Sequence, residues 1–170
     1  MDPKIGLSDE VRDRVIGILN RTLADEHALY VKTRNYHWNV TGPQFHSLHE
    51  MLEEFYKKLA PLADDIAERA RMMGGRAIGT LAEFSQQTRL SEQPGEMPEA
   101  RRMVENLLAD HEQIIRDLRQ DIDVCDDVDV TQDILDMDGD AKKAGVTALI
   151  GMGSSPGVTN LLAKFAADSL

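Results

Sequence analysis

Apolar side chains that recur every three, four or seven residues dominate the first three quarters of this chain, and that period is the signature of helices rather than strands. Val11, Val15, Ile18, Leu19, Leu23, Leu29, Tyr30 and Thr33 form one such stripe, with Ser8 or Asp9 placed to cap its start. Asn39 to Pro43 interrupts it with Gly-Pro punctuation. A second helical segment is expected from about residue 44 to residue 73, where Gly74-Gly75 stops it. Pro61 falls inside, removes one backbone hydrogen bond and predicts a kink within one bent helix. Residues 76 to 97 read as a long connection with a helical turn or two around Ile78 to Phe84. A third helix is expected from about residue 97 to residue 124, burying Met103, Leu107, Leu108, Ile114, Ile115, Leu118 and Ile122. Val130 to Leu135 looks like the opening of a fourth. The fold class is therefore all-α, a bundle of long helices around one core, which 170 residues at 42% apolar content can fill.

Charge and cysteine content narrow the function. The formal net charge is −11, and phosphate affinity comes from clustered Lys and Arg, so a general nucleic-acid binder is not indicated. One cysteine, Cys125, excludes an internal disulfide framework and a four-thiolate zinc site. No apolar run reaches membrane-spanning length and the first residues lack an export pattern, so the cytoplasm is the expected compartment.

The chemistry concentrates between His37 and Glu68. His49 and Glu53 are four residues apart, as are Asp64 and Glu68, so each pair projects from one face of the second helix as a two-armed metal clip. Imidazole with carboxylate suits Fe(II), Mn or Zn and disfavours Cu(I). The alternative is a solvated acidic face with helix-stabilising pairs. Fifteen residues separate His49 from Asp64, which on one helix amounts to roughly 22 Å at about 1.5 Å per residue. One chain cannot close such a site. Two copies of the second helix crossing antiparallel about a two-fold axis can, each giving His49 and Glu53 to face Asp64 and Glu68 of the other. His37, at the end of the first helix, is a further candidate ligand, with Trp38 beside it. His27, His46, His111, Glu50, Glu54 and Asp65 read as ordinary surface or helix residues. The absence of any Glu-x-x-His pair argues against a metal site inside one bundle.

These residues carry a resemblance. His37-Trp-Asn39, then His49-Glu-Met-Leu52 twelve residues after His37, then Asp64-Asp-Ile-Ala-Glu-Arg69 ending at paired glycines resemble the Dps family of mini-ferritins, and the likeness extends over residues 8 to 135. The resemblance implies a ferritin-like four-helix bundle assembled as a homo-oligomer of twelve subunits around a cavity. It implies ferroxidase sites at two-fold interfaces, holding two irons each, with His37, His49 and residue 53 from one subunit and Asp64 and Glu68 from its neighbour. Fe(II) would be oxidised there by hydrogen peroxide and stored as Fe(III), protecting against oxidative damage, with Trp38 intercepting stray oxidising equivalents. Many relatives carry Asp where this chain has Glu53, whose longer arm alters the ligand geometry. Acidic residues near Asp121, Asp126 and Asp127 line iron-entry pores in the family; a solvated acidic patch is the other reading. Some relatives coat DNA through basic terminal tails, which both ends of this chain lack, so DNA binding is expected to be weak or absent. A DNA-compacting protein and a helical chimera unable to assemble are the competing readings.

The ending departs from the pattern. Residues 136 to 170 read as an apolar run of strand length, a Gly/Ser/Pro loop and a helix opened by Ser155-Pro156, a short βα unit in place of most of the fourth helix. Ala144 to Asn160 is similar to a fragment of the nucleotide-binding domain of the saccharopine dehydrogenase family. Gly151-Met-Gly153-Ser-Ser-Pro-Gly157 misses the three-glycine dinucleotide fingerprint, and no nucleotide cofactor is expected. The chain accordingly divides into a ferritin-like region, residues 1 to 135, and an atypical segment, residues 136 to 170.

Overall fold

The computed structural model describes residues 7–127. Four helices account for most of them: α1 (Asp9–Asn39), α2 (Phe45–Met72), the short α3 (Leu81–Gln87) and α4 (Ala100–Asp127). No strand occurs among the described residues. The expected βα unit, the opening of a fourth long helix and the dehydrogenase-like stretch lie outside them.

Each helix begins and ends where its residues dictate. The Ser8 hydroxyl accepts from the Val11 N–H at 3.3 Å, and Asp9 and Glu10 sit in the first turn of α1, where the helix dipole favours negative charge. At the other end Val40 turns extended while its N–H still reaches the Tyr36 carbonyl at 2.8 Å. The structure keeps α2 as one helix through Pro61. Pro61 lies on the exposed face together with Lys57, whose carbonyl loses its helical partner to the proline. Two glycines then stop α2 for different reasons. Gly74 adopts φ of 85°, a left-handed conformation that costs a side-chain residue. Gly75 is pressed against α1: a Cβ there would fall 2.5 Å from Cγ2 of Ile16.

The core follows the expected stripes. Ile18, Leu19 and Leu29 of α1 meet Leu52, Leu59 and Ile66 of α2 and Met103, Ile114 and Leu118 of α4, all buried. Burial of each large side chain contributes about 1.5–3 kcal/mol, which makes this the main term holding the helices together. Leu108 departs from the expectation, being 59% exposed on the opposite face of α4.

Polar residues of α1 hold the long connection between α2 and α4. Asn20 gives its amide to the Arg76 carbonyl at 3.0 Å and accepts from the Ile78 N–H at 3.1 Å. Asp25, fully buried, accepts from the Thr88 hydroxyl and from the Arg89 backbone and Nε. Lys32 donates to the Ser91 carbonyl at 2.7 Å and to Asp110 of α4 at 2.6 Å. Within the connection, Thr80 and Glu83 form a capping box that starts α3 and fixes Phe84 against the core.

Candidate metal centre

The turn after α1 returns the chain so that His37, in the last turn of α1, meets His49, one turn into α2. Their rings stack at 3.7 Å between centroids and 25° between planes. Each Nδ1 lies 2.9 Å from the backbone carbonyl of the other residue, His37 on His49 O and His49 on His37 O. A carbonyl oxygen only accepts, so both Nδ1 atoms carry protons, and in the neutral imidazole this leaves each Nε2 with a lone pair. This is how ligating imidazoles are commonly oriented: one nitrogen is tied to backbone and the other left for an ion.

Glu53 follows His49 by one turn. Lys57 donates to its Oε1, and that ammonium holds the Glu53 carboxyl below the ordinary range. Tyr56, one further step along the same face, sets its ring edge toward His37 at 5.2 Å and 69°. Arg34 stands over Tyr56, Tyr30 and Trp38, at 5.6, 5.8 and 5.0 Å from the ring centroids, and donates to the Tyr30 hydroxyl at 2.7 Å. Trp38 is 64% exposed beside this cluster, at the rim of a depression of about 540 Å³ between α1 and the 92–98 segment.

Asp64 and Glu68 lie toward the other end of α2, both exposed and neither in a hydrogen bond or ion pair with another described residue. Among the described residues no three His, Cys, Asp or Glu side chains of one chain gather into a metal-sized cluster. The structure thus brings His37 onto His49, pairs Glu53 with Lys57 one turn further along α2, and leaves Asp64 and Glu68 apart, as one helix spanning all four α2 positions requires.

The other candidates separate. Asp121, considered as a pore residue, is 6% exposed and is held by Arg89 at 2.9 Å, with Arg21 at 3.9 Å. Its carboxylate belongs to a clamp in which Arg89 also meets Asp25 at 2.7 Å and Asp117 at 3.4 Å, so in this chain it is turned inward and neutralised. The side chains of Asp126 and Asp127 lie outside the described residues. His46 makes a surface contact with Glu50 at 3.6 Å. His111 packs edge-on to Phe55, and burial pushes its pKa down.

Two residues passed over in the sequence, and His27, read there as ordinary, stand out. Tyr56 had a signal, since His49, Glu53 and Tyr56 fall at i, i+4 and i+7. Glu26 is fully buried with neither carboxyl oxygen hydrogen-bonded to a described residue, and burial, with Asp25 beside it, pushes its pKa up to about 8. Its signal was a position between Thr22 and Leu29 on the core stripe. His27 stacks on Phe84 at 4.1 Å, and burial lowers its pKa. Nothing local distinguished it from a surface histidine.

Comparison with known proteins bears on the fold that carries these residues. The ferritin-like domain matches residues 16–138, and the expected likeness of residues 144–160 to a saccharopine dehydrogenase fragment is not borne out. A low temperature-induced protein of Nostoc sp. is 53% identical over 119 residues, 70% of this chain, and the chain spans only 66% of that relative's length. DNA protection during starvation protein 2 of Bacillus anthracis is 37% identical over 125 residues, covering 72% of this chain and 84% of that protein. The crystal structure of a Dps protein from Bacillus brevis superposes with a TM-score of 0.69 at 29% identity, over 95% of this chain and 99% of that one.

Proposed function

From the premise that this chain belongs to the ferritin-like domain family, in its Dps branch, we propose that it is a ferroxidase whose metal site is shared between two copies of the chain. The observation that carries this reading is the reciprocal Nδ1-to-carbonyl bonding of His37 and His49, which leaves two Nε2 lone pairs one turn from the Glu53 carboxylate. Asp64 and Glu68, without a partner among the described residues of the same chain, are the complementary half. Antiparallel crossing of two α2 helices about a two-fold axis brings the halves together twice, giving two equivalent sites.

Iron is the substrate in this reading. The mixed imidazole and carboxylate set binds Fe(II), and the carboxylates favour the more highly charged Fe(III). Two Fe(II) held together each release one electron; the O–O bond of hydrogen peroxide breaks and two protons complete two waters. Pairing the electrons at one site avoids the one-electron cleavage that liberates hydroxyl radical. Trp38, next to His37 in the chain, intercepts what escapes in this reading; an unchanged yield of radical adducts from Trp38→Phe would remove that role. Stored Fe(III) then requires a closed shell, which we assign to a dodecamer. The relative in B. anthracis is named for DNA protection; here protection is attributed to removal of iron and peroxide, consistent with a net charge of −11.

The decisive experiment is anaerobic Fe(II) binding by the wild-type chain and by a His49→Ala, Asp64→Ala double variant. Saturable binding is expected to vanish in the double variant. An unaltered stoichiometry defeats the assignment. A gel shift at physiological salt addresses the DNA-compacting reading, and no retardation is expected.

A further inference from the structure

His27 precedes His37 by ten residues of α1, about 15 Å along the axis, and so cannot join the His37–His49 pair of its own chain. It faces the other end of α2. A cavity of about 290 Å³ is lined by both His27 and Asp64, and the rest of its α2 wall is Ala60, Ala63 and Ala67. Those alanines carry nothing beyond Cβ, so α2 lies alongside the imidazole without covering it.

The ring is fixed in place by Phe84, stacked on it at 4.1 Å and 25°, and Phe84 is in turn set by the capping box of α3. Hydrogen bonds do not account for its orientation: Nδ1 is buried without a partner, and Nε2 makes no hydrogen bond to a described residue. An aligned imidazole with an unused Nε2 therefore shares a cavity with an unpartnered carboxylate, and Glu68 follows Asp64 one turn later. His27, Asp64 and Glu68 do not form a closed cluster by themselves, so an ion between them needs donors from a second copy.

We propose that His27 is an additional nitrogen ligand on the Asp64 half of the shared site, so that each site offers an ion three imidazoles rather than two. This rests on the interfacial reading given above. A third imidazole biases the site toward first-row ions that favour nitrogen, Zn(II) and Co(II) among them, over ions that favour oxygen alone.

Crystals of the wild-type assembly soaked in Zn(II) test this directly. Anomalous density is expected about 2.0–2.1 Å from a His27 nitrogen, with Asp64 or Glu68 sharing the ion. In solution, Zn(II) calorimetry on His27→Gln is expected to show binding weakened by at least about tenfold, with an unchanged melting temperature. Density at His37 and His49 with His27 uncoordinated overturns the inference and leaves the shared site standing. Unchanged Zn(II) affinity in His27→Gln does the same. No ordered zinc at either half, together with unaltered Zn(II) binding by the His49→Ala, Asp64→Ala variant, overturns both. If His27→Gln does not fold, the wild-type anomalous map alone decides.

Discussion

A carboxyl group buried without a hydrogen bond ties stability to pH, and Glu26 is such a group. Its carboxyl ionises near 4.5 when the chain is unfolded and at about 8 in the folded core. Between those values the folded state holds a proton that the unfolded state has released. The stability fully present below pH 4.5 is therefore lost as pH rises toward 8. Glu26→Gln keeps the shape and removes the titration, so its melting temperature should vary less with pH across that window, with the gain over wild type largest near pH 8. Calorimetric scans at pH 5, 6.5 and 8 measure this; parallel wild-type and variant curves would reject it. Legibility differed sharply from residue to residue here. His49, Glu53, Asp64 and Glu68 stood out as candidates because donor chemistry and helical spacing coincide in them, and His37 because it closes the first helix. Glu26 was not, because one acidic residue on an apolar stripe looks like a register imperfection until its neighbours close over it.

Among the elements, the contact between the end of α2 and the start of α1 rests on Gly75. An alanine there drives a methyl group into the Ile16 side chain, an overpacking that typically costs about 1–3 kcal/mol. Gly75→Ala is expected to lower the melting temperature, and Ile16→Val on that background to recover part of the loss. The clamp between α1, the connection and α4 is a second such contact. Arg89 is the cation that Asp25, fully buried, depends on, and removing one member of a buried pair costs about 3–5 kcal/mol. Arg89→Ala should therefore destabilise strongly, and adding Asp25→Asn should restore part of the stability, as urea denaturation would show. Helix bounds were legible to within about three residues because caps and glycines act locally. The clamp was not, since Asp25 and Arg89 are distant in sequence and neither announces the other.

At the scale of the whole molecule, the proposed site requires a second copy. His49 and Asp64 occupy one continuous helix, and no folding of a single chain brings them together. Light scattering on a sizing column is expected to give about 230 kDa for twelve chains of 19.0 kDa. A dimer would still hold the shared sites but no storage cavity; a monomer would hold neither. Among the described residues no helix is long and apolar enough to cross a membrane.

Periodicity, caps and ligand spacing are properties of short stretches, and they alone determined the all-α class and the helices as far as residue 127, and they prompted the proposal that a second chain completes a metal site. Tertiary structure decided what depends on packing between distant segments. It turned His37 and His49 so that each binds the other's carbonyl, committed Asp121 to Arg89, buried Glu26, and set His27 beside Asp64. Orientation and burial depend on which surfaces meet, and a local pattern of residues does not contain that information.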